Sequence, residues 1–359
     1  MVLKTGVADL PLHWGKTPRW LFSLMKELAR NIVLIMVEET SPKEVIRKLS
    51  DPFWFQAFGC VLGFDWHSSG LTTTVCGALK EGLKGLEKET GIFVCGGKGG
   101  TSRRTPEEIR IYGEKYPLKK SPEELIYASR MSAKVDSTCI QNGYTLYHHS
   151  FIFTREGDFC VIQQGMNPLT GYARRYHWLS EEIESFICEP HKAICCDERR
   201  SALNMVAKES EKAREVSASL SREKPDFILR ELKKLKSLKL SPLHQVFLED
   251  INPDSLRPIL LKTYESQVRG FEQLLSLPRV GPKTIRALAL ISDLTYGAKP
   301  SLKDPVTYSF AHGGKDGHPY PVKREEYERT VEFLKKAIEE AKLGRREKLE
   351  ALKRLKRYF

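Results

Sequence analysis

Apolar residues recur at helical spacing through the first third of the chain and switch to alternation in its middle. Residues 20–36 carry one apolar stripe behind Pro18 and predict a helix, and 52–58 and 75–86 predict two more. The run GIFVCGGKGGTSRRTPEEIR predicts a short strand entering glycines, then a helix opening on Thr-Pro-Glu-Glu. From residue 137 to 166 the period falls to two, and YTLYHHSFIFTREGDFCVIQQGM predicts a β-hairpin with Glu156 and Gly157 as its loop. That register sets Arg155 opposite Asp158, Phe151 opposite Ile162 and His149 opposite Gln164. One face then carries Tyr147, His149, Phe151, Phe153, Cys160, Ile162 and Gln164, and the other Leu146, His148, Ser150, Ile152, Val161 and Gln163. Both faces are apolar near the turn and polar at the open end. Beyond Arg174 the pattern reads as helical, which places Arg174 and Arg175 at a helix start. Residues 199–245 read as a charged helical linker, and 324–355 as a long amphipathic helix kinked near Gly344.

Residues 274–289, LLSLPRVGPKTIRALA, read as a short helix, a tight turn and a second helix. Gly281 permits positive φ or close backbone approach, and Pro282 suits a first helical turn, where its missing N–H costs nothing. The free amides of that helix start suit a phosphate whatever the base, and Lys283 and Arg286 add charge beside them. The run resembles the helix-hairpin-helix family: Leu-Pro, x, Val-Gly, x-Lys-Thr, then an Ala/Leu-rich helix, with Arg279 where the family usually has glycine. The resemblance implies a sequence-independent grip on a DNA backbone, or less favourably RNA, by Arg279, Val280, Gly281, Lys283, Thr284 and Arg286. It also implies a second chemistry. In base-excision glycosylases built on this motif the hairpin lysine is a Schiff-base nucleophile assisted by an aspartate, here Lys283 and Asp304. A lysine at that place is more commonly a simple phosphate contact.

The formal charge of +12 supports a polyanionic partner because it is uneven: residues 341–359 hold eight Lys and Arg against two Glu. No apolar stretch reaches the roughly 18 residues of a membrane span. The N-terminus lacks an export pattern, so a cytoplasmic protein with reduced thiols is expected. The eight cysteines form no Cys-x-x-Cys pair, and Cys195 and Cys196 beside His191 and Asp197 amount to a metal half-site or, by default, to buried small hydrophobes.

Candidate chemistry gathers at the hairpin, where Asp136, Gln141, His148, His149, Asp158, Gln163, Gln164 and His177 lie close in sequence. A metal-dependent phosphodiesterase needs a hard cation held by carboxylate, imidazole or amide oxygen. Asp136, His149 and Gln164 are the expected ligands for Mn or Mg, with His148, Gln163 and the phosphate-steadying Arg174 and Arg175 in the same catalytic cluster. Adjacent strand residues face opposite ways, so only one of His148 and His149 enters a given site. Mutually satisfied interior polar groups are the alternative. Asp65, His67 and Ser68 could complete the site. Gly96 to Gly100 with Arg103 and Arg104 could cradle phosphate, but the run lacks the Lys-Ser/Thr ending of a nucleotide loop, which excludes ATP. His312, Lys315, Asp316 and His318 occupy a turn-rich segment.

Through TGVADLPLHWGKTPRW, QNGYTLYHHSFIF, VIQQGMN, ARRYHWLS, LPRVGPKTIRALALI and FAHGGKDGHPYPV, nearly the whole sequence resembles the domain-of-unknown-function 763 family of archaea and thermophilic bacteria. That resemblance implies no settled activity; a thermophilic source fits the 29% charged content. The expected architecture is α+β: a mixed catalytic domain with an antiparallel hairpin over 1–198, the linker over 199–245, an all-α helix-hairpin-helix domain over 246–310, and a loop with a basic amphipathic helix over 311–359. Three functions fit it: a metal-dependent nuclease in DNA repair or processing, a glycosylase or abasic lyase, and a non-enzymatic DNA-binding scaffold. The C-terminal helix would dock a partner or a second copy of the chain.

Overall fold

Several helices begin where a proline follows a short polar residue. α2 (Pro42–Ser50) and α3 (Pro52–Val61) start behind Ser41 and Asp51, whose side chains accept a backbone N–H, and α1 (Arg19–Glu39) starts behind Pro18. α4 (Gly70–Leu83) and the single turn α5 (Glu87–Thr90) complete an N-terminal group. β1 (Ile92–Lys98) runs through glycines into α6 (Thr105–Lys115), as its pattern predicts. α7 (Pro122–Lys134) opens on a capping box between Ser121 and Glu124 and widens into a π-helical turn, Val135–Cys139. Six strands follow: β2 (Ile140–Gln141), β3 (Thr145–Thr154), β4 (Phe159–Asn167), β5 (Tyr172–Leu179), β6 (Ala193–Cys195) and β7 (Leu203–Asn204). The remaining helices are α8 (Glu211–Leu220), α9 (Pro225–Ser237), α10 (Pro242–Glu249), α11 (Pro253–Ser266), α12 (Phe271–Ser276) and α13 (Pro282–Tyr296). This computed structural model describes residues 17–64, 68–196 and 199–307, with isolated positions between 332 and 353.

An antiparallel sheet in the order β1-β3-β4-β5-β6 divides the apolar interior, and β2 pairs with β7 beside it. Strand alternation sends Phe93, Phe151, Phe153, Val161, Tyr176 and Trp178 to one side, where they pack with α6 to α9 and α11 to α13. Ile92, Val94, Ile152, Cys160 and Ile162 face the other side and pack with α1 to α4. Ile338 and Ala351 are buried in this second cluster, and Lys336 contacts Glu39, so these positions of the expected C-terminal helix meet the chain's own N-terminal helices. Most of that helix, including Gly344, lies outside the described residues, as do His312, Lys315, Asp316 and His318. Among the described residues no helix is long and apolar enough to cross a membrane.

Two readings of the middle segment are corrected. The hairpin loop has three residues rather than two: Thr154 N–H donates to Asp158 O at 2.8 Å and Gly157 N–H to Thr154 O at 3.0 Å, with Gly157 at φ 91°. A left-handed glycine ending a three-residue loop is the usual alternative to a two-residue turn. Phe151 therefore pairs with Val161 and His149 with Gln163, one place from the expected register. A slip of one residue exchanges the faces of every β4 side chain. Arg174 and Arg175 lie inside β5, not at a helix start; Ala173 to Leu179 are all buried, which erases the alternation a half-exposed strand would show. The charged stretch 199–245 contains α8 and α9, and their Ala213, Leu220, Ile228 and Leu232 share a core with α13.

Candidate functional site

α7 and its π turn present Ser129, Ser132 and Asp136 to the sheet at spacings of three and four, and all three are buried. The observed register aims His149 and Gln163 at them. Ser129 Oγ lies 2.8 Å from His149 Nε2, His149 Nδ1 lies 2.9 Å from Gln163 Oε1, and Gln163 Nε2 donates to Asp136 Oδ2 at 2.5 Å. Trp178 Nε1 donates to the same oxygen at 3.0 Å, and His191 Nε2 contacts Asp136 Oδ1. Donor chemistry orders this chain. An amide nitrogen only donates, so Gln163 must turn its Nε2 to Asp136 and its Oε1 can only accept. The His149 proton is therefore on Nδ1, and Nε2 accepts the Ser129 hydroxyl. Burial lowers the His149 pKa to about 4, against the bond to Gln163, which keeps the ring neutral at pH 7. Burial raises the Asp136 pKa, opposed by His191 and by Trp178.

The order hydroxyl, imidazole, orienting amide is that of an activated nucleophile. Ser129, however, is 2% exposed and faces the interior, so the relay fastens α7 to the sheet.

His148, Gln164 and Arg175 occupy the opposite face. Gln164 Nε2 donates to Ser69 O at 2.8 Å and to Tyr147 Oη at 2.5 Å, and His148 Nε2 lies 3.0 Å from Ser150 Oγ. Burial, with smaller contributions from His149 and Lys98, lowers the His148 pKa to about 3. Arg175 donates to Gln56 Oε1 at 2.9 Å and lies over Phe55. Arg174, on the relay side, holds both Asp304 carboxylate oxygens at 2.9 and 2.8 Å and lies over Tyr144. The expected set of Asp136, His149 and Gln164 is therefore not assembled, because the sheet separates Gln164 from the other two. Nor do Arg174 and Arg175 converge on one phosphate. Among the described residues no three His, Cys, Asp or Glu gather to hold a metal. Cys195 and Cys196 enter opposite cores; Asp158 pairs with Lys43 at the turn end; Asp65, His67 and Asp197 lie outside the described residues.

The segment joining α12 to α13 is a surface corner. Val280 N–H donates to Leu277 O at 3.4 Å across Pro278 and Arg279, and Arg279 takes φ 69°. A turn with proline second and a left-handed third residue ordinarily selects glycine there, and Arg279 holds that conformation itself. Gly281 is extended at φ −138°, and the positive φ of the corner falls two residues earlier, at Arg279. Pro278, Arg279, Pro282 and Lys283 are exposed, whereas the Val280 and Thr284 side chains are buried. No side chain caps α13, and the first amides of a helix have no intrahelical acceptor. Lys283 Nζ donates to Asp250 O at 2.9 Å, and Arg286 donates to Asp250 Oδ1 at 2.5 Å and to Gln141 Oε1 at 2.7 Å. Gln141 Nε2 donates to Pro282 O at 2.9 Å, and Lys134 Nζ donates to Leu277 O at 2.9 Å and Val280 O at 2.5 Å. Lys283 thus meets Asp250, while Asp304 meets Arg174.

Sequence reasoning did not single out Ser129, Trp178, Lys134 or Asp250, and it weighed His191 only beside the cysteines. The three-and-four spacing of Ser129, Ser132 and Asp136 on an apolar helix was a usable signal for the first. Lys134 and Asp250 reach the corner only through tertiary contacts. Compared with known proteins, residues 6–322 match the model of a family described as a protein of unknown function, DUF763. No curated protein and no solved structure matches the chain.

Proposed function

The chain belongs to the DUF763 family, and we propose that it is a DNA-binding protein that holds the sugar–phosphate backbone at the α12–α13 corner without reading base sequence. The observation carrying this reading is the uncapped start of α13, lying at the surface between Arg279 and Lys283. Free amides at the positive end of a fifteen-residue helix, flanked by two exposed cations, suit a phosphate and no particular base. Asp250 restrains Lys283 and Arg286 until a stronger anion competes.

A second reading, that the chain also cuts the strand with Mn or Mg, is supported by the position of the relay: Asp136 lies two residues from Lys134, which bonds the corner. No observation favours a lyase, whose Lys283 and Asp304 are separately engaged.

The test is fluorescence anisotropy of labelled duplex and single-stranded DNA and of RNA across a KCl series. The double variant Arg279→Ala/Lys283→Ala lowers the slope of log K against log salt by about two, near 0.9 for each phosphate that is no longer neutralised. Absence of binding at low salt, or an unchanged slope, refutes the grip. Incubating the same strands with Mn or Mg separates nuclease from non-enzymatic scaffold: intact strands across flapped, duplex and abasic substrates remove the cutting reading.

A further inference from the structure

We infer that Lys134, the last residue of α7, is a positioning residue for the phosphate grip: its ammonium closes the Leu277–Val280 turn and polarises the peptide whose N–H belongs to Gly281. The inference rests on the proposed grip at that corner and names a residue outside the motif that makes it work.

Lys134 Nζ donates to Leu277 O at 2.9 Å and to Val280 O at 2.5 Å, so the two carbonyls bracketing Pro278 and Arg279 converge on one cation. The turn's own hydrogen bond, Val280 N–H to Leu277 O, is long at 3.4 Å. The ammonium is the tighter clasp. It also holds the turn in a conformation that Arg279, at φ 69°, reaches less readily than glycine would. Lys134 is partly buried, and burial lowers its pKa; among the described residues no carboxylate pairs with it. A half-buried cation tied to carbonyls rather than to a carboxylate keeps its charge available to the corner.

The direction of its action follows from peptide geometry. A trans peptide points its C=O and N–H to opposite sides. With the ammonium on Val280 O, the Gly281 N–H is directed away from Lys134, and electron withdrawal through the amide makes it a stronger donor. Gly281 is the N-cap of α13, so the strengthened N–H belongs to the group of uncapped amides at that helix start. Lys134 thereby acts behind the corner, through the peptide, while Arg279 and Lys283 act in front of it. The same lysine ends the helix that carries Ser129 and precedes Asp136 by two residues, so the corner and the buried relay share one rigid support.

The full chain with Lys134→Met, Lys134→Gln and Lys134→Arg tests this by two readouts. In glycine-labelled protein the Gly281 amide proton moves upfield in the Met and Gln variants and returns with Arg. Affinity for labelled duplex DNA at fixed salt falls about tenfold in Met and Gln and recovers with Arg, as for loss of a charge-assisted hydrogen bond. The slope against salt stays unchanged because every phosphate keeps its partner. An unmoved Gly281 resonance with unchanged affinity overturns the inference. A slope lowered by about one also overturns it, making Lys134 a direct phosphate ligand. If the natural chain binds no DNA, the proposed function fails, while the Gly281 resonance still decides whether Lys134 polarises the turn.

Discussion

Acid should destabilise this protein through two histidines that the fold keeps neutral, and the size of the effect can be worked from their surroundings. His148 and His149 are both buried, and desolvation lowers their pKa values to about 3 and about 4 from 6.5. Below pH 6.5 the unfolded chain binds protons that the folded chain refuses, so stability is fully present above 6.5 and is lost as pH falls toward the folded values. At pH 5 each histidine has removed about 2 kcal/mol, and the pair about 4 kcal/mol. Small domains are stable by only about 5 to 15 kcal/mol, so the loss is large. Asp136 works in the opposite sense: burial raises its pKa, so its unfavourable contribution at neutral pH relaxes as it protonates. Urea midpoints at pH 7.5 and pH 5 isolate each histidine when the natural chain is compared with His148→Gln and His149→Gln. Each variant should recover about 2 kcal/mol of the acid-induced loss, whatever its stability at pH 7.5. A pH dependence unchanged by His149→Gln would mean that the folded ring takes up its second proton as readily as the unfolded one, and the assignment of its Nε2 as a buried acceptor for Ser129 would fall.

Asp250→Asn removes the carboxylate charge facing Lys283 and Arg286 and should tighten DNA binding up to about fivefold, read by anisotropy at low salt; weaker binding would mean that Asp250 orients them instead. Gln163→Leu leaves Asp136 and His149 without their shared partner in the core and should cost about 2 to 4 kcal/mol in urea unfolding; a neutral result would show the relay to be dispensable. Arg174→Met leaves the buried Asp304 carboxylate without its countercharge and should cost about 3 to 5 kcal/mol by the same measurement; a near-neutral result would show the ion pair to be dispensable.

Local patterns carried much of the architecture. The helix over 20–36, the strand entering glycines before Thr105-Pro106, the hairpin over 145–167 and the proline-led start of α13 are nearest-neighbour features, because period and capping chemistry act within a few residues. They placed Asp136 and the hairpin's His149, Gln163 and Gln164 close together in sequence, with Gln164 rather than Gln163 on the His149 face, and marked Gly281-Pro282 as the start of a helix with free amides. Which face each hairpin residue took was decided by one loop residue, Gly157, and that choice moved Gln164 out of the company of His149. Arg174 and Arg175 read as phosphate-steadying cations at a helix start, and only a sheet covered on both sides could bury them against Asp304 and Gln56. Lys134 under the corner and Asp250 beside it join residues far apart along the chain. Sequence alone therefore determined many of the elements, though not β5, and the chemistry that each could offer. Packing across the sheet determined which groups meet, since strand register and helix docking are set by the sum of many distant contacts and leave no mark in local spacing.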